Sequence, residues 1–153
     1  MSTKPIPDDY HTITPYLTTR NSTEAIKFYK KVFGACEVGR LVMPDGGIAH
    51  AEIQIGNSKL LISEESEDWG NLSPLALNGS PVNLCIYVED VDAVFAKAIK
   101  AGATVLKEVE DQFYGDRMGS LTDPFGHIWS IMTQKEELTF EQMQQRMDAM
   151  FSE

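Results

Sequence analysis

The chain has 153 residues, 42% hydrophobic and 24% charged, which is the composition of one water-soluble globular domain built around a single core. Thirteen Lys and Arg against 23 Asp and Glu leave a formal charge of −10, which argues against nucleic acid as a partner, because a phosphate backbone is neutralised by clustered cations. No apolar run of about 18 residues is available to span a bilayer. The opening ten residues, with Pro5, Pro7, Asp8 and Asp9, lack the basic-then-apolar pattern of an export signal, so the expectation is a cytoplasmic protein without a membrane partner.

A short strand from His11 leads to Asn21-Ser22-Thr23-Glu24, a capping-box-like helix start. Ala25, Ile26, Tyr29, Val32 and Phe33 follow at helical spacing, and Gly34 is the stop. Residues 36–65 read as three strands: one to about Met43, the alternating stretch His50 to Ile55, and Leu60 to Ser63. Turn residues separate them at Pro44-Asp45-Gly46-Gly47 and Gly56-Asn57-Ser58. The acidic run Glu64-Glu65 with Glu67-Asp68 reads as a solvated loop edge. Residues 66–81, rich in Ser, Gly, Pro and Asn, have loop composition and form a linker that carries Trp69. The pattern then restarts with a strand over Val82 to Val88, a cap at Asp90, an apolar stripe Val91, Val94, Phe95, Ala98 and Ile99, and a stop at Gly102. Strands follow near 104–109, 115–122 and 127–133, the last two joined by the turn Asp123-Pro124-Phe125-Gly126. From Thr139, which forms a capping box with Gln142, a last helix over about 139–151 carries Phe140, Met143, Met147, Met150 and Phe151. That side is expected to pack, or to cover a ligand or a partner subunit.

Both halves follow the order β-α-β-β-β. The helix-ending glycines Gly34 and Gly102 lie 68 residues apart and the turn glycines Gly56 and Gly126 lie 70 apart, a near-constant offset that argues for an internal duplication. The expected fold is therefore α+β: two βαβββ modules, about 10–65 and about 82–134, forming a curved mixed sheet around a cleft, plus the C-terminal helix, all in a single domain over 1–153.

Strand alternation separates a core face from a free face. Ala51, Ile53 and Ile55 take the core, so His50, Glu52 and Gln54 share the opposite face, roughly 6.5–7 Å apart. By the same rule Leu84, Ile86 and Val88 oppose Asn83, Cys85 and Tyr87, and Ile13, Pro15 and Leu17 oppose Thr12, Thr14 and Tyr16. A curved sheet with this face inside encloses a cavity lined by Thr14, Tyr16, His50, Glu52, Gln54, Asn83 and Tyr87; the plain alternative is a face turned to water. His50 with Glu52 is the one His/carboxylate pair at such spacing, a candidate catalytic pair or two ligands of a divalent metal. Phe113, Tyr114 and Arg117 enter a strand from a loop, where Arg117 either meets an anionic group of a ligand or joins a surface ion pair. His11 reads as an exposed residue and His127 as a turn histidine. Cys36 and Cys85 have no metal spacing and are expected as small buried apolar residues.

The duplicated modules, Thr14-Pro15-Tyr16-Leu17, the helix Ala25 to Ala35, His50-Ala51-Glu52, Val88-Glu89-Asp90-Val91-Asp92 and Asp123-Pro124-Phe125-Gly126-His127-Ile128-Trp129 together resemble the vicinal oxygen chelate superfamily of glyoxalase I, extradiol dioxygenases and the fosfomycin and bleomycin resistance proteins. The resemblance covers about residues 10 to 134 and is strongest to the bleomycin-resistance-like bacterial branch. It implies a homodimer whose clefts take a small organic molecule between residues such as Tyr16, Trp69, Tyr87, Phe113 and Tyr114. The family's metal set is implied to be lost: its fifth-strand histidine position falls on Asn83 and its last glutamate on Ser130. The two remaining positions fall near Thr12 or His11 and near Ile62. Three readings follow: a metal-free binding protein with no cofactor, an enzyme of the lyase, isomerase or dioxygenase kind using a shifted site at His50 and Glu52, and a structural or regulatory dimer with a vestigial cleft.

Overall fold

The computed structural model describes residues 2–152 and divides the chain into two compact units, Met1–Gly79 and Ser80–Glu153. Each unit holds one βαβββ module in a four-stranded mixed sheet.

In the first unit the elements are β1 (Tyr16–Thr19), α1 (Ser22–Phe33), β2 (Cys36–Val42), β3 (Ile48–Ile55) and β4 (Ser58–Glu64), with sheet order β1-β4-β3-β2. β1 runs parallel to β4, and the other pairs are antiparallel. α1 begins where the sequence places it: the Asn21 side chain accepts from the Glu24 amide, and Gly34 ends the helix at φ 68, the left-handed region that suits glycine. Ala25, Ile26, Tyr29 and Val32 are buried together with Leu17, Ala51, Ile53, Leu60 and Ile62, so α1 covers one face of the sheet and leaves the other to the polar residues.

The second unit repeats this arrangement with β5 (Asn83–Tyr87), α3 (Val91–Lys100), β6 (Thr104–Asp111), β7 (Asp116–Thr122) and β8 (Ile128–Gln134) in the order β5-β8-β7-β6. Val91, Phe95 and Ala98 pack on Leu121, Trp129 and Ile131. The Asp123-Pro124-Phe125-Gly126 turn is locked by the buried Asp123 carboxylate, which accepts from Phe125 N at 2.9 Å, His127 N at 3.0 Å and Trp129 Nε1 at 2.9 Å. The most recognisable motif of the second half is thus a turn-fixing device.

Several expectations need correction. The segment 66–81 is not all loop: α2 (Pro74–Leu77) forms on a Ser73 cap, and Pro74 supplies a preset φ at its start. The first strand begins at Tyr16, and Ile13 is 83% exposed instead of facing the core. The acidic run is structural in part. Glu64 accepts from the amides of Asn21 and Ser22 at the start of α1, where the helix dipole favours a carboxylate, and Glu65 accepts from Ser73 N while pairing with Arg20. Both cysteines are exposed, because Cys36 opens an edge strand and Cys85 obeys the alternation of β5; strand register outweighs the preference of the thiol for the interior. Finally, α4 (Phe140–Phe151) has the expected capping box but buries no residue, with Phe140, Met150 and Phe151 turned out to solvent. Its link to the module is polar: the Arg146 guanidinium donates to Glu136 and to the Phe113 carbonyl.

Candidate functional site

The face of the first sheet away from α1 carries Tyr16 and Thr18 on β1, Lys59, Leu61 and Ser63 on β4, and His50, Glu52 and Gln54 on β3, as alternation requires. β4 lies between β1 and β3, yet Tyr16 Oη and His50 Nδ1 share a hydrogen bond at 2.8 Å. The bond therefore bridges over the central strand, passing Leu61, the register partner of Tyr16, toward Ser63, one step beyond the Ala51–Ile62 pair. Ser63 is buried, and its hydroxyl has no hydrogen-bond partner, a cost for a buried polar atom. On the other side of the imidazole, Nε2 lies 3.9 Å from Glu52 Oε1. Glu52 also receives the hydrogen bond of Tyr10, and that bond, with the burial and charge around it, pushes the Tyr10 phenol up to about 12. The Lys59 ammonium, almost wholly buried, sits 5.6 Å from the Tyr10 ring centroid and 3.8 Å from Asp9. Tyr16, His50, Glu52 and Tyr10 thus form a polar cluster in which Tyr16 and His50 are hydrogen-bonded and Glu52 stands between the imidazole and the Tyr10 phenol, with a buried hydroxyl beneath it.

The second sheet has a counterpart. Asn83, Cys85 and Tyr87 on β5, Ser130 and Met132 on β8, and Asp116, Met118 and Ser120 on β7 face away from α3. The Tyr87 hydroxyl reaches over β8 and donates to Asp116 Oδ2 at 2.8 Å. This bond, followed by burial and the Asp116 charge, pushes the Tyr87 phenol up; burial first and then Asp116 do the same to Tyr114. Phe113 and Tyr114 meet edge-to-face with ring centroids 5.3 Å apart.

Of the residues singled out from sequence, Tyr16, His50 and Glu52 are brought together, and Gln54 lies on the same face with its amide on the Gly56 carbonyl. Tyr87 donates to Asp116, whose charge also bears on Tyr114, and Asn83 lies on the same face of β5 as Tyr87; Trp69 is exposed in the segment before α2. Arg117 takes the ion-pair fate: it points to the α3 side of β7, where Asp92 at 2.8 Å and Asp111 at 3.2 Å hold its guanidinium. Sequence reasoning passed over Tyr10, Lys59, Ser63 and Asp116. Asp116 was reachable, since it shares the alternation phase of Met118 and Ser120 on the tyrosine face. Tyr10 was not, because it precedes the first strand and has no periodicity.

The positions implied for a family metal do not suit one. Ser130 is buried with its hydroxyl engaged by Ser120 at 2.9 Å, Ile62 faces the core and has no donor, and His11 Nε2 is 2.9 Å from the Asn57 carbonyl. Among the described residues no group of three or more His, Cys, Asp and Glu side chains gathers as a metal set.

Residues 10–131 match the model of the Glyoxalase/Bleomycin resistance protein/Dioxygenase superfamily, and the chain belongs to that family. The uncharacterized protein Mb0911c of Mycobacterium bovis is 37% identical over 140 residues, covering 90% of this chain and 92% of its own. The solved structure of the Arabidopsis thaliana At5g48480 product superposes with a TM-score of 0.65 at 26% identity, over 80% of this chain and 98% of that one. The fosfomycin resistance protein FosX of Mesorhizobium loti shares the fold, with a TM-score of 0.62 at 14% identity over 86% and 94% of the two chains. No helix among the described residues is long and apolar enough to cross a membrane.

Proposed function

We propose that this member of the superfamily binds a small organic molecule directly, without a divalent ion at the positions where relatives are expected to hold one. The single observation that carries this reading is the Tyr16–His50–Glu52–Tyr10 cluster: polar side chains on the sheet face away from α1, with Tyr16 hydrogen-bonded to His50 and Glu52 beside the imidazole. The engaged Ser130 hydroxyl and the donorless Ile62 support it from the other side. Tyr16, His50, Glu52 and Gln54 are the proposed contacts in the first unit, and Tyr87, Phe113 and Tyr114 in the second. The chain works as a homodimer in this proposal; exposed Val38, Leu41 and Val42 on the edge strand β2 favour association.

A second reading is favoured by one distance. The 2.8 Å contact between Tyr16 Oη and His50 Nδ1 would let the pair deliver or remove a proton on a bound substrate, with Glu52 stabilising the charged imidazole. Under that reading His50 is the acid–base group and Glu52 orients it.

The test is a thermal-shift screen of the full chain against a panel of small organic compounds, with metal content measured on protein purified without chelator. The expected result is substoichiometric metal, together with at least one compound that raises the melting temperature of the parent but not of His50→Ala. Near one equivalent of a tightly held divalent ion, or the same response in His50→Ala, sinks the reading. Turnover of the compound by the parent, lost in His50→Ala at unchanged stability, selects the enzyme.

A further inference from the structure

We propose that Asp116, Tyr87 and Tyr114 form a binding site for a small organic cation, an alkyl- or arylammonium group, on the face of the second sheet away from α3. The proposal rests on the small-molecule reading above and deepens it by naming the ligand's charge.

Asp116 opens β7 immediately after the turn at Gly115, and alternation turns it to the tyrosine side. It is only 8% exposed, and among the described residues its carboxylate accepts one hydrogen bond, from the Tyr87 hydroxyl. It makes no ion pair with any described residue. The cation next to it in sequence, Arg117, points to the other side of the strand and is already held by Asp92 and Asp111. A carboxylate so placed lacks its compensating charge, and nearly buried charges are tolerated when a partner completes them. A metal is a poor partner, since a hard divalent ion asks for several converging anionic oxygens, and among the described residues no three His, Cys, Asp or Glu side chains gather; the other carboxylate on this face, Glu110 opposite Met118, is exposed. A monovalent organic cation fits the chemistry better. Its charge meets Asp116, and its carbon surface meets the rings of Tyr87 and Tyr114, whose π faces attract ammonium groups.

The walls are also built in advance. Gly115 adopts φ 99, and a Cβ there would meet the Glu136 carbonyl oxygen at 2.7 Å, so the turn is pressed against the residues after β8. The amides of Lys135 and Glu136 donate to the Gly115 carbonyl at 2.9 and 3.0 Å. Arg146 of α4 donates to the Phe113 carbonyl at 3.2 Å while gripping Glu136. Phe113, edge-on to Tyr114, backs the wall. A loop fixed at this many points presents its aromatics at little ordering cost to a ligand.

The experiment titrates the full chain with benzyltrimethylammonium chloride and with neutral benzyl alcohol, by calorimetry and thermal shift. The ammonium is expected to bind, with benzyl alcohol weaker by about tenfold or more. Asp116→Asn is expected to weaken the ammonium by about thirtyfold, whereas Asp111→Asn, the same charge change at an exposed position, leaves it unchanged. Because Asp116→Asn removes a buried charge and can alter the fold, Tyr114→Leu and Tyr114→Phe give an independent check: the first loses about tenfold and the second keeps binding. Equal affinity for the two probes, or full affinity in a folded Asp116→Asn variant, overturns the cation assignment. So does silence toward the ammonium. If a neutral compound still raises the melting temperature in a His50-dependent way in any of these cases, the broader small-molecule reading stands and the cation site alone falls.

Discussion

The two modules build the same strut and end it differently. In each, a tyrosine on the first strand reaches across the central strand to a polar group on the third: Tyr16 over β4 to His50, and Tyr87 over β8 to Asp116. The register is the same, since Tyr16 pairs with Leu61 and Tyr87 with Met132, and both tyrosines and both partners lie 71 residues apart. One strut ends on an imidazole that is a third exposed beside Glu52, the other on an almost buried carboxylate. A position three residues along the third strand, on the core face, shows the same divergence. Ile53 pairs with Leu60, and its counterpart Gly119 pairs with Ile131; Leu60 and Ile131 again lie 71 residues apart, while Ile53 and Gly119 lie 66 apart, as His50 and Asp116 do. The duplicated backbone fixes where side chains meet, and each module then chooses its own chemistry and its own way of filling volume. Where the first has a branched side chain on the strand, the second has none and is filled from the helix by Phe95, whose ring lies 2.8 Å from where a Gly119 Cβ would stand.

The largest effects follow from that core difference. Ile53→Ala removes fully buried methyl groups and is expected to cost about 2–5 kcal/mol in urea denaturation. Gly119→Ala should cost about 1–3 kcal/mol for the opposite reason, because the added methyl meets Phe95 and Val109 below 3.0 Å. If Gly119→Ala is neutral while Gly119→Ala with Phe95→Leu is not more stable, the account of complementary filling fails.

Next come the struts. Tyr87→Phe takes from the buried Asp116 carboxylate the hydrogen bond of the Tyr87 hydroxyl and should cost roughly 1.5–3 kcal/mol, the range for bonds to charged groups. Tyr16→Phe breaks a bond to a more exposed imidazole and should cost about 0.5–1.5 kcal/mol. Equal losses would erase the distinction between the two ends.

The first module also predicts an alkaline pH dependence, of the same sign as that from the raised Tyr87 and Tyr114 phenols of the second. The Tyr10 phenol ordinarily ionises near 10 and is raised to about 12 by its bond to Glu52. A folded-state pKa raised above the unfolded one gives stability that is fully present below pH 10 and is lost as pH climbs toward 12. Tyr10→Phe should flatten this part of the curve of melting temperature against pH, and an unchanged slope between pH 10 and 12 would show that Tyr10 does not contribute it.

What could be read from sequence divides along physical lines. Helix stops at Gly34, the caps at Asn21 and Asp90, and the alternation of β3 and β5 are short-range signals, and each reappears in the fold. His50, Glu52 and Tyr16 were found because alternation places residues on faces without any knowledge of pairing. The strut itself was hidden, since it needs the order β1-β4-β3, which places Tyr16 and His50 on either side of a strand that follows them both in sequence. Burial of the cysteines was misjudged for the converse reason: residue type was weighed where register decides.

The smallest expected effect concerns α4, which only the second module carries. Arg146 ties it to Glu136 and to the Phe113 carbonyl, but the two side chains of the ion pair are 42% and 48% exposed, and an exposed pair contributes little once solvent and salt screen it. Arg146→Ala should therefore lower the unfolding free energy from urea denaturation by less than about 1 kcal/mol. Its consequence is local. With the Phe113 carbonyl released, the turn from Phe113 to Gly115 keeps its bonds from Lys135 and Glu136 but loses its outer brace, so amide hydrogen exchange of Tyr114 and Gly115 should quicken while that of β7 and β8 stays at the parent rate. Exchange that quickens across the whole second sheet would instead make α4 part of the module's stability, despite its burying no residue.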